Sequence, residues 1–430
     1  MSEFCRVMGD MISTARGMTG LAPIMPSVAM LPATPIMPPV VPIILIATLF
    51  VLIIMFVILI TNLLSFQRLP INKELHGTEE PLVSVLVPAR DEAQSIERCV
   101  RSLVAQTYTR LEVLVLDDHS SDTTAAIVQK IIASLPPQQQ GRLRLLQGIE
   151  LPQGWVGKNF ACHQLAHHAI GDYLFFTDAD TVHTPQTVAS VLFTMHKRNV
   201  SMLTAQPAYE LKSLGEQLVV PLIAFTIMTL LPIALIPKRP EPSLATGNGQ
   251  LICFKRDTYT RIGGHEAVKN RILEDVLLAR ATKAVGLPIL FADAQDLVQC
   301  RMYRSFREVW LGFSKNLFAF YNYSFPFATV ALLFNFFLFV LPPLLLLIGL
   351  FIPLSLLTLA LAAAAYLLAV AMRSLLLFHF KGEQRVLMLL LCFLHPVSIA
   401  LECLILLNSI RWHYRKRGTV WKGRAYLTGN

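Results

Sequence analysis

The run VVPIILIATLFVLIIMFVILITNLL, residues 40–64, holds about 25 residues without a charged side chain, and ~20 apolar residues in a helix are enough to cross the hydrocarbon core of a bilayer. In that medium each backbone N–H and C=O has to be satisfied within the segment, so the run is expected to be a transmembrane helix. Whatever follows must then fold beside a membrane. The same texture returns from Phe325 to Met372, enough for two spans broken near Pro353, and again from Val386 to Ile410, where His395 and Pro396 interrupt it. Hydrophobic residues make up 54% of the chain and charged residues 15%, too apolar for an ordinary soluble protein.

The formal net charge is +9, and much of the excess lies in a basic tail, residues 411–430, directly behind the last apolar run. Basic residues flanking a membrane helix mark a cytoplasmic, anionic-lipid-facing side, so a lipid bilayer is the expected partner and a nucleic acid is not. A full crossing by 386–410 would put this tail outside, against that rule, which points to a re-entrant or broken segment within the C-terminal membrane region 325–410. Residues 218–237, LVVPLIAFTIMTLLPIALIP, pose a related problem. One full crossing there would separate the two halves of a domain, so this stretch, interrupted by Pro221 and Pro232, reads as interfacial or re-entrant and suited to carrying a lipid substrate. Residues 1–39, rich in Met, Pro and small side chains, do not resemble a signal peptide and are expected to be flexible. The seven cysteines include no C-x-x-C pair, which argues against a disulfide framework or a zinc ribbon. His163 and His167 stand one helical turn apart, a metal-ligand spacing, but without an H-E-x-x-H glutamate they read as a helix surface.

After the polar linker NKELHGTEE, short β-rich runs at 82–88, 111–118, 143–148 and 172–180 alternate with amphipathic stretches such as EAQSIERCVRSLVAQ and KNFACHQLAHHAI. Strands alternating with helices of this length predict an α/β domain, a mainly parallel sheet wrapped by helices. In such sheets ligands lie outside the carboxyl ends of the strands. Asp91, Asp117, Asp118, Asp178 and Asp180 all fall just behind strand-like runs and can share one crevice.

The run FFTDADT, 175–181, places Asp178 and Asp180 two residues apart behind an apolar strand. Like charges so close repel unless a cation neutralises them, and oxygen ligands of this kind suit Mg²⁺ or Mn²⁺, which share their open positions with substrate phosphates. The same residues also serve Asx turns and helix caps. VPARDE adds Arg90, Asp91 and Glu92, and VLDDHSSDTT adds Asp117 and Asp118 ahead of a helix they can also cap. GWVGKNFA puts Gly157 and Lys158 at a helix start, where amide N–H groups and a cation favour an anion. Gly247 and Gly249 in LATGNGQ permit close backbone approach to a ligand. Glu274 and Asp275 open an amphipathic helix, where acids suit the helix dipole and a carboxylate can also serve as general base for a hydroxyl.

Taken in order and spacing, SVLVPARDE, LDDHSSDTT, FFTDADT, the glycine loop and LEDVLLA resemble the family 2 glycosyltransferases with their GT-A fold, over residues 82–320. GWVGK, GGH, GFSKN and WKGRAY are similar to membrane-bound members that glycosylate carotenoid, hopanoid-associated and ceramide-type lipids. The resemblance implies a cytoplasmic catalytic domain on a multi-pass protein of the cell membrane, a UDP- or GDP-linked nucleotide-sugar donor, a membrane lipid acceptor and a divalent metal. It implies that Asp91, Glu92, Asp118 and Lys158 contact the donor, that Asp180 assisted by Asp178 holds the metal on the diphosphate, and that Asp275 is the base, with Glu274 second. Gly247, Gly249, Arg304, Arg307 and Trp310 fall on the acceptor and diphosphate side. The chain departs from the processive synthases of this family at their Q-x-x-R-W box, where RSFREVW lacks the glutamine. A polysaccharide synthase on the same fold and a non-catalytic membrane scaffold are the alternatives; the first lacks that box, and the second has no physical need to keep Asp178, Asp180 and Asp275 in register.

Overall fold

The computed structural model describes residues 40–71, 80–380, 385–415, 419–421 and 424–426; the N-terminal segment expected to be flexible lies outside them. The first apolar run forms one helix, α1 (Val40–Ser65). Its buried positions Leu45, Leu52, Met55, Leu59 and Asn62 follow helical spacing along one face, while Ile43, Ile46, Phe50, Ile53 and Val57 face outward.

The α/β segment begins with β1 (Val83–Ala89), α2 (Ile96–Val104), β2 (Leu111–Asp117), α3 (Thr124–Ser134), β3 (Leu143–Gln147), α4 (Gly157–His168) and β4 (Tyr173–Phe176). It continues through β5 (Thr181–His183), α5 (Thr187–Arg198), β6 (Met202–Gln206), β7 (Ala208–Tyr209), α6 (Leu214–Val219) and α7 (Pro221–Leu230). Next come β8 (Ile252–Lys255), α8 (Arg256–Arg261), α9 (Glu274–Ala284), β9 (Ile289–Asp293), β10 (Val298–Cys300) and α10 (Phe306–Phe320). The main sheet has seven strands in the order β3-β2-β1-β4-β8-β6-β9. β8 runs antiparallel to both its neighbours and the remaining pairings are parallel. This is the mainly parallel α/β sheet expected from the sequence. Strands β5, β10 and β7 make a second, three-stranded sheet.

β1, β2, β4, β6 and β9 are buried at every position, as near-continuous apolar strands covered on both faces must be. Alternation sorts their side chains into two cores. Val85, Val87, Val113, Val115 and Phe175 pack with α2 and α5. Leu86, Leu114, Leu174, Phe176, Phe254 and Phe291 share the other core with Leu52, Met55 and Leu59 of α1. One face of the main sheet is therefore continuous with an apolar helix. The link is reinforced behind α1, where Leu69 N–H donates to the Asp293 carbonyl (2.8 Å) and Asp293 N–H to the Gln67 carbonyl (2.8 Å), covering edge strand β9.

The C-terminal region comprises α11 (Phe325–Asn335), a π-helical turn (Phe336–Val340), α12 (Leu341–Ile348), α13 (Leu356–His379), α14 (Arg385–Cys392) and α15 (His395–Tyr414). Among the described residues three helices are long and apolar enough to cross a membrane, Val40–Ser65, Phe325–Ile348 and Leu356–His379, and α14 and α15 are bent by 71° at their break. Small residues Ala362, Ala365 and Ala369 let α13 approach α1 closely. These helices associate the protein with a membrane.

Helices α6 and α7 do not run straight through. Pro221 has no N–H for the Gln217 carbonyl, and Arg373 Nη2, reaching from α13, donates to the Gln217 (3.2 Å) and Leu218 (3.1 Å) carbonyls. At the far end Asn62 of α1 donates to the Met228 (2.8 Å) and Leu231 (2.7 Å) carbonyls and accepts the Ile233 N–H (2.9 Å). Two buried polar side chains on apolar helices thus satisfy backbone groups that the breaks in the 214–236 segment set free.

Candidate active site

The carboxyl ends of β1, β2 and β4 lie side by side, and the turns behind them carry the acids singled out in the sequence. Asp91 adopts φ +50°, a left-handed conformation that short Asp side chains tolerate. Its Oδ1 accepts from the Ser121 N–H (2.6 Å) and hydroxyl (3.0 Å), and its N–H donates to Ser120 Oγ (2.9 Å). Glu92 N–H donates to Thr124 Oγ1 (2.8 Å). Arg90 donates through Nη1 to the Asp118 carbonyl and lies 3.9 Å from Asp91 Oδ2. The serines and threonine of HSSDTT therefore lace the first turn to the second, with Asp118 buried at their junction.

The TDADT turn is braced by its threonines. Thr181 Oγ1 donates to the Asp178 carbonyl (2.8 Å), and Thr177 Oγ1 lies 2.9 Å from Thr181 Oγ1, 3.0 Å from His183 Nε2 and 2.8 Å from the Gln250 carbonyl. Both carboxylates are thereby held at the strand end.

The positive charge that this spacing demands is found, at Asp178, within the chain itself. Lys158 Nζ lies 2.7 Å from Asp178 Oδ1 and 3.0 Å from Glu274 Oε1. Expected to favour an anion at a helix start, this lysine instead bridges two acids. Its position is fixed by the residues around it: Val156 N–H donates to the Lys269 carbonyl (2.7 Å), and Asn159 Nδ2 donates to the Val268 and Arg271 carbonyls (both 2.8 Å), clamping α4 to the loop ahead of α9. Burial disfavours the ammonium, but Asp178 and Glu274 on either side hold its pKa well above the ordinary lysine range. For Glu274, burial is outweighed by Lys158 and the pKa falls; for Asp178, burial prevails over the lysine and the pKa rises.

Asp180 is less well provided for. Its Oδ1 is buried with no hydrogen-bond partner. Burial, followed by the charges of Asp178 and Glu92, raises its carboxyl pKa to about 7. An orphaned carboxylate oxygen suits a hard divalent cation. Among the described residues no three His, Cys, Asp or Glu side chains converge on one point, so a cation here would complete its shell from substrate phosphates and water, as Mg²⁺ commonly does.

Asp275 sits in the first turn of α9, where Gly249 N–H donates to its Oδ2 (3.0 Å) and Val276 N–H to its Oδ1 (2.8 Å). Burial, and then the adjacent Glu274 charge, raise its pKa to about 7, the range in which a general base works best. The two glycines have a role that the sequence reading assigned to a ligand. A Cβ on Gly247 would lie 2.3 Å from the Asp275 carbonyl oxygen, and one on Gly249 would lie 2.9 Å from Lys158 Nζ. The loop is glycine-rich so that it can press against α9 and the lysine bridge.

Not all the expected residues converge. Among the described residues no hydrogen bond or ion pair joins Arg304, Arg307 or Trp310 to the aspartates; Arg304 and Arg307 are exposed, and Trp310 packs on Phe306 (6.1 Å between ring centroids). Arg301, which the sequence reading passed over, is the arginine beside the turn: its N–H donates to the Asp180 carbonyl (3.4 Å) and its Nη2 lies 3.5 Å from Glu216 Oε1. Its only signal in the sequence was a place at the end of a three-residue strand. His163 and His167 stack edge to face (4.5 Å between centroids) beside Trp155.

A mainly parallel α/β domain with paired acids behind β4 and a carboxylate poised on α9 is the architecture of a GT-A-like sugar transferase. Residues 84–229 match the profile of Glycosyl transferase family 2. The 4,4'-diaponeurosporenoate glycosyltransferase of Staphylococcus haemolyticus is 25% identical over 268 residues, 60% of this chain and 68% of that protein. Its counterpart in Staphylococcus aureus strain MRSA252 is 23% identical over 240 residues, 55% of this chain and 60% of that protein. Among solved structures, the mannosyltransferase PcManGT from Pyrobaculum calidifontis, in complex with GDP-Man and Mn²⁺, superposes with a TM-score of 0.50 at 20% identity, covering 85% of this chain and 99% of that one; this likeness bears on the fold alone. Over residues 84–229 the chain thus carries a family 2 glycosyltransferase domain.

Proposed function

We propose that this enzyme transfers a sugar, with inversion, from a UDP- or GDP-linked donor to a hydroxyl of a membrane lipid or isoprenoid. The observation that carries the reading is the placement of Asp275: a carboxylate with a raised pKa, held by Gly249 beside the Lys158 bridge, in a domain whose sheet shares a core with an apolar helix. The names of the relatives, which glycosylate a carotenoid acid, support an apolar isoprenoid-type acceptor. The mannosyltransferase PcManGT, which has the same fold, was solved with GDP-Man and Mn²⁺, the classes of donor and cation proposed here.

In this scheme Asp91, Glu92 and Asp118 line the nucleoside side of the crevice and Lys158 the diphosphate side. Asp180, with Asp178 assisting, holds Mg²⁺ or Mn²⁺, which when bound supplies electrostatic stabilisation to the departing diphosphate. Asp275 as the carboxylate takes the acceptor's hydroxyl proton. The acceptor oxygen bonds to the anomeric carbon from the face opposite the donor phosphate, and the anomeric carbon–phosphate oxygen bond breaks with its electron pair on the nucleoside diphosphate. The reacting domain works on the cytoplasmic side of the cell membrane, where nucleotide sugars are available.

The test is to reconstitute the full chain in membranes with Mg²⁺ or Mn²⁺, a panel of UDP- and GDP-sugars and host lipid extract, following nucleotide release and new glycolipids. Metal-dependent turnover that Asp180→Ala abolishes and Asp275→Asn lowers by about 10²–10⁴-fold is expected. Full activity in Asp275→Asn would remove the base assignment, and a polymeric product by mass spectrometry would favour a polysaccharide synthase instead.

A further inference from the structure

A cavity of about 80 Å³ lies where β6, β7, α7, α13 and α14 meet. Its two ends differ in chemistry. Phe225, Leu376, Met388 and Leu391 line the end among the helices, with Arg373 and Gln217 also in the wall there, and Gln206 and Tyr209 line the end against the sheet. The polar end leads to the reacting carboxylate through one residue: Asn248 Nδ2 lies 3.4 Å from both Gln206 Oε1 and Tyr209 Oη, and the next residue, Gly249, holds Asp275 through its N–H. The apolar end is walled by α13, one of the helices long enough to cross a membrane.

We propose that this cavity is the acceptor site, taking the reactive end of a long-chain amphiphile from the bilayer, with its apolar chain against α7, α13 and α14 and its hydroxyl delivered past Tyr209 and Gln206 towards Asp275. The inference rests on the reading of the enzyme as a lipid glycosyltransferase and deepens it. Its size fits the occupant: pockets that engulf a drug-sized ligand measure roughly 300–1,000 Å³, so a cavity this small holds one end of a lipid and leaves the rest to the membrane. Its polarity fits too, since a mainly apolar wall with a few placed polar groups orients an amphiphile, and the one guanidinium in the lining, that of Arg373, is engaged by the Gln217 and Leu218 carbonyls. The break at Pro221, with the Gln217 and Leu218 carbonyls taken up by Arg373, is what keeps the cavity wall free of unsatisfied backbone.

The test uses the full chain in phosphatidylcholine nanodiscs with a long-chain alkenol bearing a diazirine a few carbons from its hydroxyl, photolysed and mapped by peptide mass spectrometry. Label is expected on Phe225, Leu376, Met388 or Leu391, reduced roughly tenfold in Leu391→Trp or Ala224→Trp, which fill the space. With the donor sugar and host lipid extract, the same variants should raise the acceptor KM far more than they change the donor KM, and a cooperative thermal unfolding transition near that of the parent protein shows that they fold. Label confined to the outward faces of the apolar helices, or unaltered by both tryptophans, would overturn the cavity assignment. Because labelling needs no turnover, a labelled cavity in a protein that makes no glycolipid would fault the proposed activity and leave the cavity in place, whereas a turning-over enzyme indifferent to both substitutions would fault the cavity alone.

Discussion

At the scale of single residues, two like charges behind β4 demanded a cation, and the sequence offered a metal as the source. The fold supplies Lys158 at Asp178 and leaves Asp180 Oδ1 without a partner. The acids themselves were legible because side chains behind consecutive parallel strands must gather at one edge. The bridge was not, because Lys158 and Glu274 are far apart in the chain and nothing in either local stretch fixes their distance. Replacing Lys158 by Met should leave two neighbouring carboxylates without their counter-ion. A fully buried ion pair broken in this way costs about 3–5 kcal/mol, and with Lys158 and Asp178 about a quarter exposed a smaller loss of ~1–3 kcal/mol is expected, read as a lower midpoint in thermal unfolding. Adding Asp178→Asn to that variant should restore much of the stability but none of the turnover. The Asp275 carboxyl gives a second expectation. With a pKa of about 7, it keeps its proton below that pH and cannot accept another. The acceptor kcat/KM should therefore fall about tenfold per pH unit on the acid side and level off above neutrality. Asp180 is raised to a similar value; if its protonation set the acid limb, saturating Mn²⁺ would move the limb to lower pH, whereas a limb set by Asp275 stays in place.

At the scale of elements, the strands β1 to β4 were readable because buried parallel strands are short, β-rich and continuous. β5, β7 and β10 escaped because two or three residues carry no period to read. The apolar stretch 218–237 was readable as a broken segment from its prolines, but the partners that make the break tolerable were not. Asn62 and Arg373 look anomalous in apolar helices, and each answers a backbone group freed 150 or more residues away. This assignment has a double-mutant test. Arg373→Met alone strands the Gln217 carbonyl and should destabilise the protein by ~1–3 kcal/mol, the usual cost of a buried polar group left unpaired. Val220 is already helical at φ −58° and ψ −40°, so Pro221→Ala can provide the missing N–H without a change of backbone. In that background Arg373→Met should cost measurably less, and thermal unfolding of the four proteins gives the coupling directly. Equal losses in both backgrounds would mean that the arginine acts elsewhere.

At the scale of the whole molecule, the catalytic sheet and the apolar helices form one hydrophobic body. Phe176 behind the active-site turn, Phe254 and Phe291 belong to the same core as Leu59 of α1 and Met372 of α13, and the residues after α1 complete the edge of the sheet at β9. A membrane anchor joined only by a linker could be removed without harm; a helix that supplies core cannot. The segment 80–320 expressed by itself should therefore expose the Leu86, Leu174 and Phe291 face, bind the dye ANS, keep far-UV but lose near-UV circular dichroism, and associate. The same segment joined to residues 40–71 and held in detergent should recover part of its near-UV signal, because Leu52, Met55 and Leu59 return to that face. A monomeric, cooperatively unfolding 80–320 fragment would show instead that the sheet closes its own core, and that α1 is a tether. The distinction bears on catalysis. If the helices are core, the distance from the bilayer to Asp275 is fixed by packing, and the membrane-held acceptor of the proposed reaction would meet that carboxylate only because the fold brings the two together.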